Sequence, residues 1–272
     1  KGDAVLVVST GVFGHRFTEI CESYELDVHE IAVEWGQSFN TDEVVDYVKQ
    51  HPEIKAVYAT LCETSTGVLN PVGELAQALH ALNDQLIVIA DGASAIACAE
   101  TKMDEWGLDI VVTGSQKGFM LPTGLAFIAV SERAWQAIEA NPSRGYYLDL
   151  TKHRDALEKG NTPFTPALGL FYGLDAVLDQ LENEGVSEVY KRHLLMRDMT
   201  RAAFKALDVN LLVDDAHASP SVTAVKPTDF DATKFRQVLK ADFNIDVASG
   251  LEAFTDTIFR VGHMGYCSPA DV

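Results

Sequence analysis

Asp91 ends the apolar run Leu86–Asp91 and is followed by the small residues Gly92-Ala93-Ser94. A carboxylate at the end of a buried strand either caps the turn that follows it or holds a cation or a protonated ring nitrogen. Lys117 lies 26 residues further on, in Gly114-Ser115-Gln116-Lys117-Gly118, with the apolar Phe119-Met120-Leu121-Pro122 behind it. A lone loop lysine is ordinarily solvated. One that follows a buried strand in apolar surroundings can lose its proton and attack a carbonyl carbon to form a Schiff base. A third group, Leu61-Cys62-Glu63-Thr64-Ser65-Thr66-Gly67-Val68, gathers hydroxyls just beyond another strand, either as an ordinary polar loop or as part of the same rim. In Phe259-Arg260-Val261-Gly262-His263-Met264-Gly265 an arginine sits inside an apolar strand. Such an arginine needs an anionic partner, which is either an internal salt bridge or a substrate carboxylate gripped by a bidentate fork.

Positioning these groups on one rim requires a sheet. Short apolar, β-branched runs recur at Ala4–Ser9, Val28–Val33, Ala56–Leu61, Leu86–Asp91 and Ile110–Gly114. Amphipathic stretches near Gly14–Tyr24, Thr41–Lys49 and Pro71–Leu82 separate the first four. Near-continuous apolar strands alternating with helices predict an α/β sheet, mostly parallel and covered on both faces. Thr41, and Asn70 before Pro71, read as helix N-caps. The connection Ser115–Gly124 is too short for a parallel crossover, so Leu125–Val130 is expected to be one antiparallel strand. The loop bearing Lys117 then lies where the topology changes, a place where open α/β sheets hold ligands. Residues 141–165 are polar and turn-rich, and include Tyr146-Tyr147. Two long helices follow, about Pro166–Asn183 and Val186–Leu207, broken at Glu184-Gly185. Val209–Val213, Ser221–Val225, Ala232–Leu239 and Thr257–Val261 suggest a smaller sheet with at least one helix. The expected division is a large domain over 1–184 and a smaller α+β domain over 185–272.

Composition narrows the function classes. Hydrophobic residues make up 47% and charged residues 22%, as in a folded globular chain. The 21 Lys and Arg against 40 Asp and Glu give a net charge of -19, which argues against general nucleic-acid binding. No apolar run approaches the length of a membrane span, so no membrane partner is expected. Cys21, Cys62, Cys98 and Cys267 form no CxxC pair and read as reduced thiols of a cytoplasmic protein with no metal site. The chain opens on Lys1-Gly2-Asp3 and closes on what reads as a helix start at Ser268–Val272, so both ends are expected to be truncated.

Taken together these motifs resemble the class V aminotransferases, pyridoxal-phosphate (PLP) enzymes of the aspartate-aminotransferase fold (fold type I), and within them the alanine/serine–glyoxylate aminotransferase branch. The resemblance is carried by Thr10-Gly11-Val12-Phe13-Gly14-His15-Arg16, Glu63-Thr64-Ser65-Thr66-Gly67-Val68, Asp91-Gly92-Ala93-Ser94, Gly114-Ser115-Gln116-Lys117, Thr162-Pro163-Phe164-Thr165-Pro166 and Arg260-Val261-Gly262-His263-Met264-Gly265. It implies that Lys117 forms the internal aldimine with pyridoxal 5'-phosphate and shuttles the proton between Cα and C4′. Asp91 would pair with the pyridinium nitrogen. Phe13 would stack on the ring, Thr64 would bond near its phenolic oxygen or phosphate, and Gln116 would contact the phosphate. Thr165 and Thr162 would reach the phosphate of a neighbouring subunit in a homodimer. Arg260 would clamp the carboxylate of the amino-acid substrate, and a 2-oxo acid would be the acceptor. His263 carries no assigned role. The family's glycine-rich phosphate-cradling helix start and its last small-domain helix are absent from this stretch. Two alternatives stand beside this reading: a PLP lyase such as a cysteine desulfurase, for which Cys267 is the one candidate nucleophile and Ser115 stands where a His is usual, and a non-catalytic subunit of a larger assembly.

Overall fold

The computed structural model describes residues 2–141 and 145–272, so three positions of the polar stretch 141–165, and Lys1, lie outside the described residues. In chain order the elements are β1 (Ala4–Ser9), α1 (Val12–Ser23), β2 (Asp27–Ala32), α2 (Thr41–Gln50), β3 (Ile54–Thr60), β4 (Cys62–Glu63), β5 (Val68–Leu69), α3 (Val72–Leu82), β6 (Ile87–Asp91), α4 (Met103–Trp106), β7 (Ile110–Gly114) and β8 (Ala126–Val130). Then follow α5 (Glu132–Ala140), α6 (Leu150–Leu157), α7 (Leu168–Glu184), α8 (Val186–Ala206), β9 (Val222–Val225), α9 (Ala232–Phe243), β10 (Ala248–Ser249) and β11 (Phe259–Gly262).

The main sheet has the order β2-β1-β3-β6-β7-β8. Its first five strands run parallel, and β8 pairs antiparallel with β7, from Ile110 opposite Val130 to Gly114 opposite Ala126. The short Ser115–Gly124 connection allows nothing else. Every residue of β1 is buried. Leu6 and Val8 join the core beneath α2 and α3, while Val5 and Val7 pack against Cys21, Phe17 and Tyr58 on the α1 side. Alternate residues thus face opposite helical layers, which is why the strand reads as unbroken apolar sequence. β2 and β3 flank β1 on opposite sides, so the strand order reverses between the carboxyl ends of β1 and β3. This is a second ligand-favouring crevice, beside the one expected at β7–β8.

A three-stranded sheet, β10-β11-β9, packs with α9 and Phe204 of α8 over Phe259. The segment Val209–Val213 is not a strand: Leu211 makes only an isolated bridge to Val225. Two expected caps also differ. Asn40, one residue before Thr41, caps α2 by accepting the Asp42 and Glu43 N–H groups. Asn70 caps nothing, because its amide donates to the Thr10 hydroxyl and the Thr60 carbonyl, tying β1 to β3. At the β2 edge His29, His51 and Glu53 bring their ring nitrogens and carboxylate within 4.8 Å of one another. These atoms are already engaged: His29 Nδ1 meets the Tyr47 hydroxyl at 3.0 Å and His51 Nδ1 meets Glu53 Oε1 at 3.0 Å. Among the described residues no helix is long and apolar enough to cross a membrane.

Candidate active site

Asp91 ends β6 opposite Val112 of β7, and Lys117 lies three residues past the end of β7, so the acid and the amine occupy one rim of adjacent strands. Of the two readings of Asp91, the cap is seen directly. Its Oδ1 accepts the Ala93 N–H at 2.8 Å, a local cap. Burial pushes its carboxyl above the usual range, and the Glu63 charge adds to this, while the Ala93 N–H and the positive charges of Lys117 and Arg16 pull it back. Lys117 is half-buried, and its amine makes no hydrogen bond or ion pair among the described residues.

The loop that carries Lys117 is stapled at its base. The Ser115 hydroxyl donates to the Pro122 carbonyl at 2.7 Å and accepts the Leu125 N–H at 3.2 Å. Gly118 closes the other side: a Cβ there would lie 2.2 Å from the Ile96 carbonyl oxygen. Only glycine lets this loop press against the turn after Asp91, and the Lys117 charge is felt at the Asp91 carboxyl.

The helix α1 brings in Phe13. Its N-cap, Gly11, has no capping side chain, so the first-turn N–H groups need partners from elsewhere. They come from the loop after β3. Glu63 Oε1 accepts the Phe13 N–H at 3.3 Å, Glu63 Oε2 accepts the Gly14 N–H at 2.9 Å, and the Ser65 hydroxyl accepts the Val12 N–H at 3.1 Å. The close approach needs Gly11, where a Cβ would fall 2.5 Å from the Ser65 Oγ and 2.7 Å from the Glu63 Cγ. The Arg16 guanidinium lies 4.9 Å from the centre of the Phe13 ring. Thr64 shares a buried hydroxyl–hydroxyl bond with Ser94 of the turn after Asp91. Glu63, Ser65, Ser94 and Arg16 stood inside the motifs but had no role in the sequence reading. The one signal for Glu63 was an acid in an otherwise uncharged loop.

Arg260 reaches this rim from the smaller sheet. Its Nη1 donates to the Thr64 carbonyl and its Nε to the Ser249 carbonyl, both at 2.8 Å. No carboxylate pairs with it among the described residues, so the internal salt-bridge alternative is not what holds it. Burial holds its guanidinium below the ordinary value, opposed by the Glu63 charge. Phe13, Thr64, Asp91, Lys117 and Arg260 therefore share one rim. Gln116 is exposed beside Lys117, folded back towards Gly114. Thr162 and Thr165 are not brought to these groups within the chain. They line a separate open hollow of residues 161–166, where the Thr162 hydroxyl donates to the Phe164 carbonyl at 2.7 Å.

His263 is fully buried behind the rim, with Nδ1 at 2.8 Å from the Pro220 carbonyl and Nε2 at 2.9 Å from the Thr223 hydroxyl. Burial pushes its pKa down from 6.5 to about 4. Between these values the unfolded chain takes up a proton that the folded chain refuses. Stability from this group is therefore complete above pH 6.5 and is lost as pH falls towards 4, by about 3 kcal/mol. Urea unfolding across this range should show a steeper acid limb in the wild type than in His263→Gln. Equal slopes would contradict this account of His263.

The donor set suits pyridoxal phosphate on its chemistry: an unpartnered amine for an aldehyde, a carboxylate for a ring nitrogen, an aromatic face, and hydroxyls for phenolic or phosphate oxygens. The comparisons with known proteins agree. A family model described as Aminotransferase class-V matches residues 1–267. The chain is 40% identical over 274 residues to the "Soluble hydrogenase, small subunit" of Synechococcus sp. (strain PCC 6716), covering 100% of this chain and 71% of that one. It is 33% identical to the serine–glyoxylate aminotransferase of Methylorubrum extorquens, covering 97% of this chain and 68% of that protein. The crystal structure of ureidoglycine–glyoxylate aminotransferase from Bacillus subtilis superposes with a TM-score of 0.91 at 32% identity, covering 97% of this chain and 69% of that one.

Proposed function

The chain belongs to the class-V aminotransferases, and from that premise we propose that it moves an amino group from alanine or serine to glyoxylate or a similar 2-oxo acid, with Lys117 as the residue that takes the cofactor. The fold is that of the PLP-dependent aminotransferases, and the cofactor is pyridoxal 5'-phosphate. The observation that carries the assignment of Lys117 is its half-buried amine, without a hydrogen bond or ion pair among the described residues, on the rim that also holds Asp91.

Bound pyridoxal phosphate supplies an aldehyde carbon for the amino group and an electron-accepting ring. The chain supplies the rest. Asp91 would hold a protonated ring nitrogen by its charge. Phe13 covers the ring, and Thr64 and Gln116 offer polar contacts to the cofactor's oxygens. Arg260 orients the donor by its carboxylate. The Lys117 amine would take and return the proton at the donor's Cα. Thr162 and Thr165 lie on a surface of their own, and in this reading they serve the phosphate of a second copy in a homodimer. The same reading divides the chain at Gly185 into a larger unit, 1–184, and a smaller one, 185–272, and places the protein in the cytoplasm.

Glyoxylate as acceptor draws support from two of the similar proteins, whose names share it while their donors differ. The test is a substrate panel. Turnover with glyoxylate should exceed turnover with 2-oxoglutarate for alanine or serine as donor. A panel in which glyoxylate accepts nothing would refute the acceptor assignment.

A second reading, a subunit of a larger assembly without turnover, is favoured by the subunit name of the Synechococcus relative. A protein that stays colourless when mixed with pyridoxal phosphate would support it. The desulfurase alternative finds little here: burial pushes the Cys267 thiol up, and its Sγ donates to the Met264 carbonyl at 3.5 Å.

A further inference from the structure

We propose that Glu63 is a positioning residue, whose buried carboxylate fixes the first turn of α1 and thereby sets the Phe13 ring relative to Asp91. The inference rests on the reading of this rim as the cofactor site and goes beyond it by assigning a group that touches neither substrate nor cofactor.

Burying a carboxylate completely is costly unless its acceptor sites are filled. Glu63 is 0% exposed, yet among the described residues it has no cationic partner within salt-bridge distance. Its acceptors are filled instead by N–H groups of Phe13, Gly14 and Ser65 and by the Ser65 hydroxyl. Three of the four donors are backbone amides, and two belong to the first turn of α1. A negative group at a helix N-terminus also meets the positive end of the helix dipole. The contact spans 49 to 50 residues of sequence, so it is the clamp that joins the loop after β3 to the helix after β1 across the strand-order reversal.

Two further observations give the clamp a functional direction. The residue whose N–H it holds, Phe13, carries the aromatic face of the site. The next residue, Thr64, bonds Ser94 of the Asp91 turn through its hydroxyl and Arg260 through its carbonyl. The two-residue unit Glu63-Thr64 therefore fastens the ring face, the acid turn and the arginine of the smaller sheet to one point. A fold-supporting carboxylate would need no such convergence, and a neutral amide would place its NH2 group against the α1 N–H donors.

The experiment uses the chain reconstituted with pyridoxal phosphate, comparing wild type, Glu63→Gln and Ser65→Ala. Ser65→Ala keeps the charge but removes the Val12 acceptor and one donor to Glu63. The readout is the visible circular dichroism per bound cofactor, which reports the asymmetric surroundings of the ring, together with the cofactor dissociation constant and the melting temperature of the cofactor-free protein. The expected result is an altered dichroic band in both variants, larger in Glu63→Gln, with affinity in that variant weaker by roughly ten- to hundredfold. A purely structural role would lower the melting temperature and leave the normalised band unchanged. That outcome in Glu63→Gln overturns the proposal, and if Glu63→Gln does not fold, an unchanged band in Ser65→Ala overturns it equally. A wild-type protein that develops no visible band would defeat the cofactor reading itself, a failure distinct from a normal wild-type band that the variants leave unmoved.

Discussion

Replacing Lys117 by alanine is expected to abolish transamination while leaving the fold intact. The side chain makes no hydrogen bond or ion pair among the described residues, so its removal breaks no polar contact there. The position of the residue is set by its backbone, through the Ser115 staples and the close approach of Gly118 to Ile96, and these survive the substitution. What is lost is the amine proposed as nucleophile and proton carrier. Loss of the proton transfer alone costs roughly 10²–10⁴-fold, and loss of covalent attachment adds to it. Steady-state assay with alanine or serine and glyoxylate, beside the far-ultraviolet spectrum of the variant, checks both parts. A Lys117→Ala protein with wild-type turnover would refute the role given to this residue.

Asp91→Asn is expected to fold and to bind cofactor, but to turn over about 10²–10³-fold more slowly. The substitution keeps the acceptor that caps the Ala93 N–H, because the amide oxygen can replace Oδ1. It removes the negative charge. Burial and the Glu63 charge disfavour ionisation of Asp91, while Lys117 and Arg16 favour it, so the site holds this acid between opposing fields. A protonated ring nitrogen would add a third positive neighbour and draw the carboxyl firmly into its ionised form. Asparagine cannot respond in this way. The effect should fall on kcat, with a smaller change in KM for the amino donor. Unchanged kcat in the variant would contradict the pairing of Asp91 with the ring.

The parts of the molecule that sequence made visible are those whose physics is local. A strand buried on both faces must be apolar throughout, so β1, β3, β6 and β7 stood out as runs. The brevity of Ser115–Gly124 was enough to turn β8 antiparallel. Asp91 and Lys117 were readable because each follows such a run directly. What could not be read depends on contacts between distant segments. Asn70 looks like a helix cap until the Thr10 hydroxyl, just past β1, and the Thr60 carbonyl, at the end of β3, claim its amide. Arg260 seemed to require an acid, yet backbone carbonyls of Ser249 and Thr64 hold it. Val209–Val213 has the composition of a strand but finds only one bridging partner, at Val225. Glu63 was hidden most completely, because two of the donors it serves lie in the first turn of α1, about fifty residues away in sequence.

The most direct measurement is to mix the protein with pyridoxal phosphate, reduce it with borohydride, digest it, and locate the label by mass spectrometry. A phosphopyridoxyl group is expected on the peptide containing Lys117 and on no other lysine at comparable yield. A label spread over surface lysines, or one concentrated elsewhere with Lys117 unmodified, would contradict it.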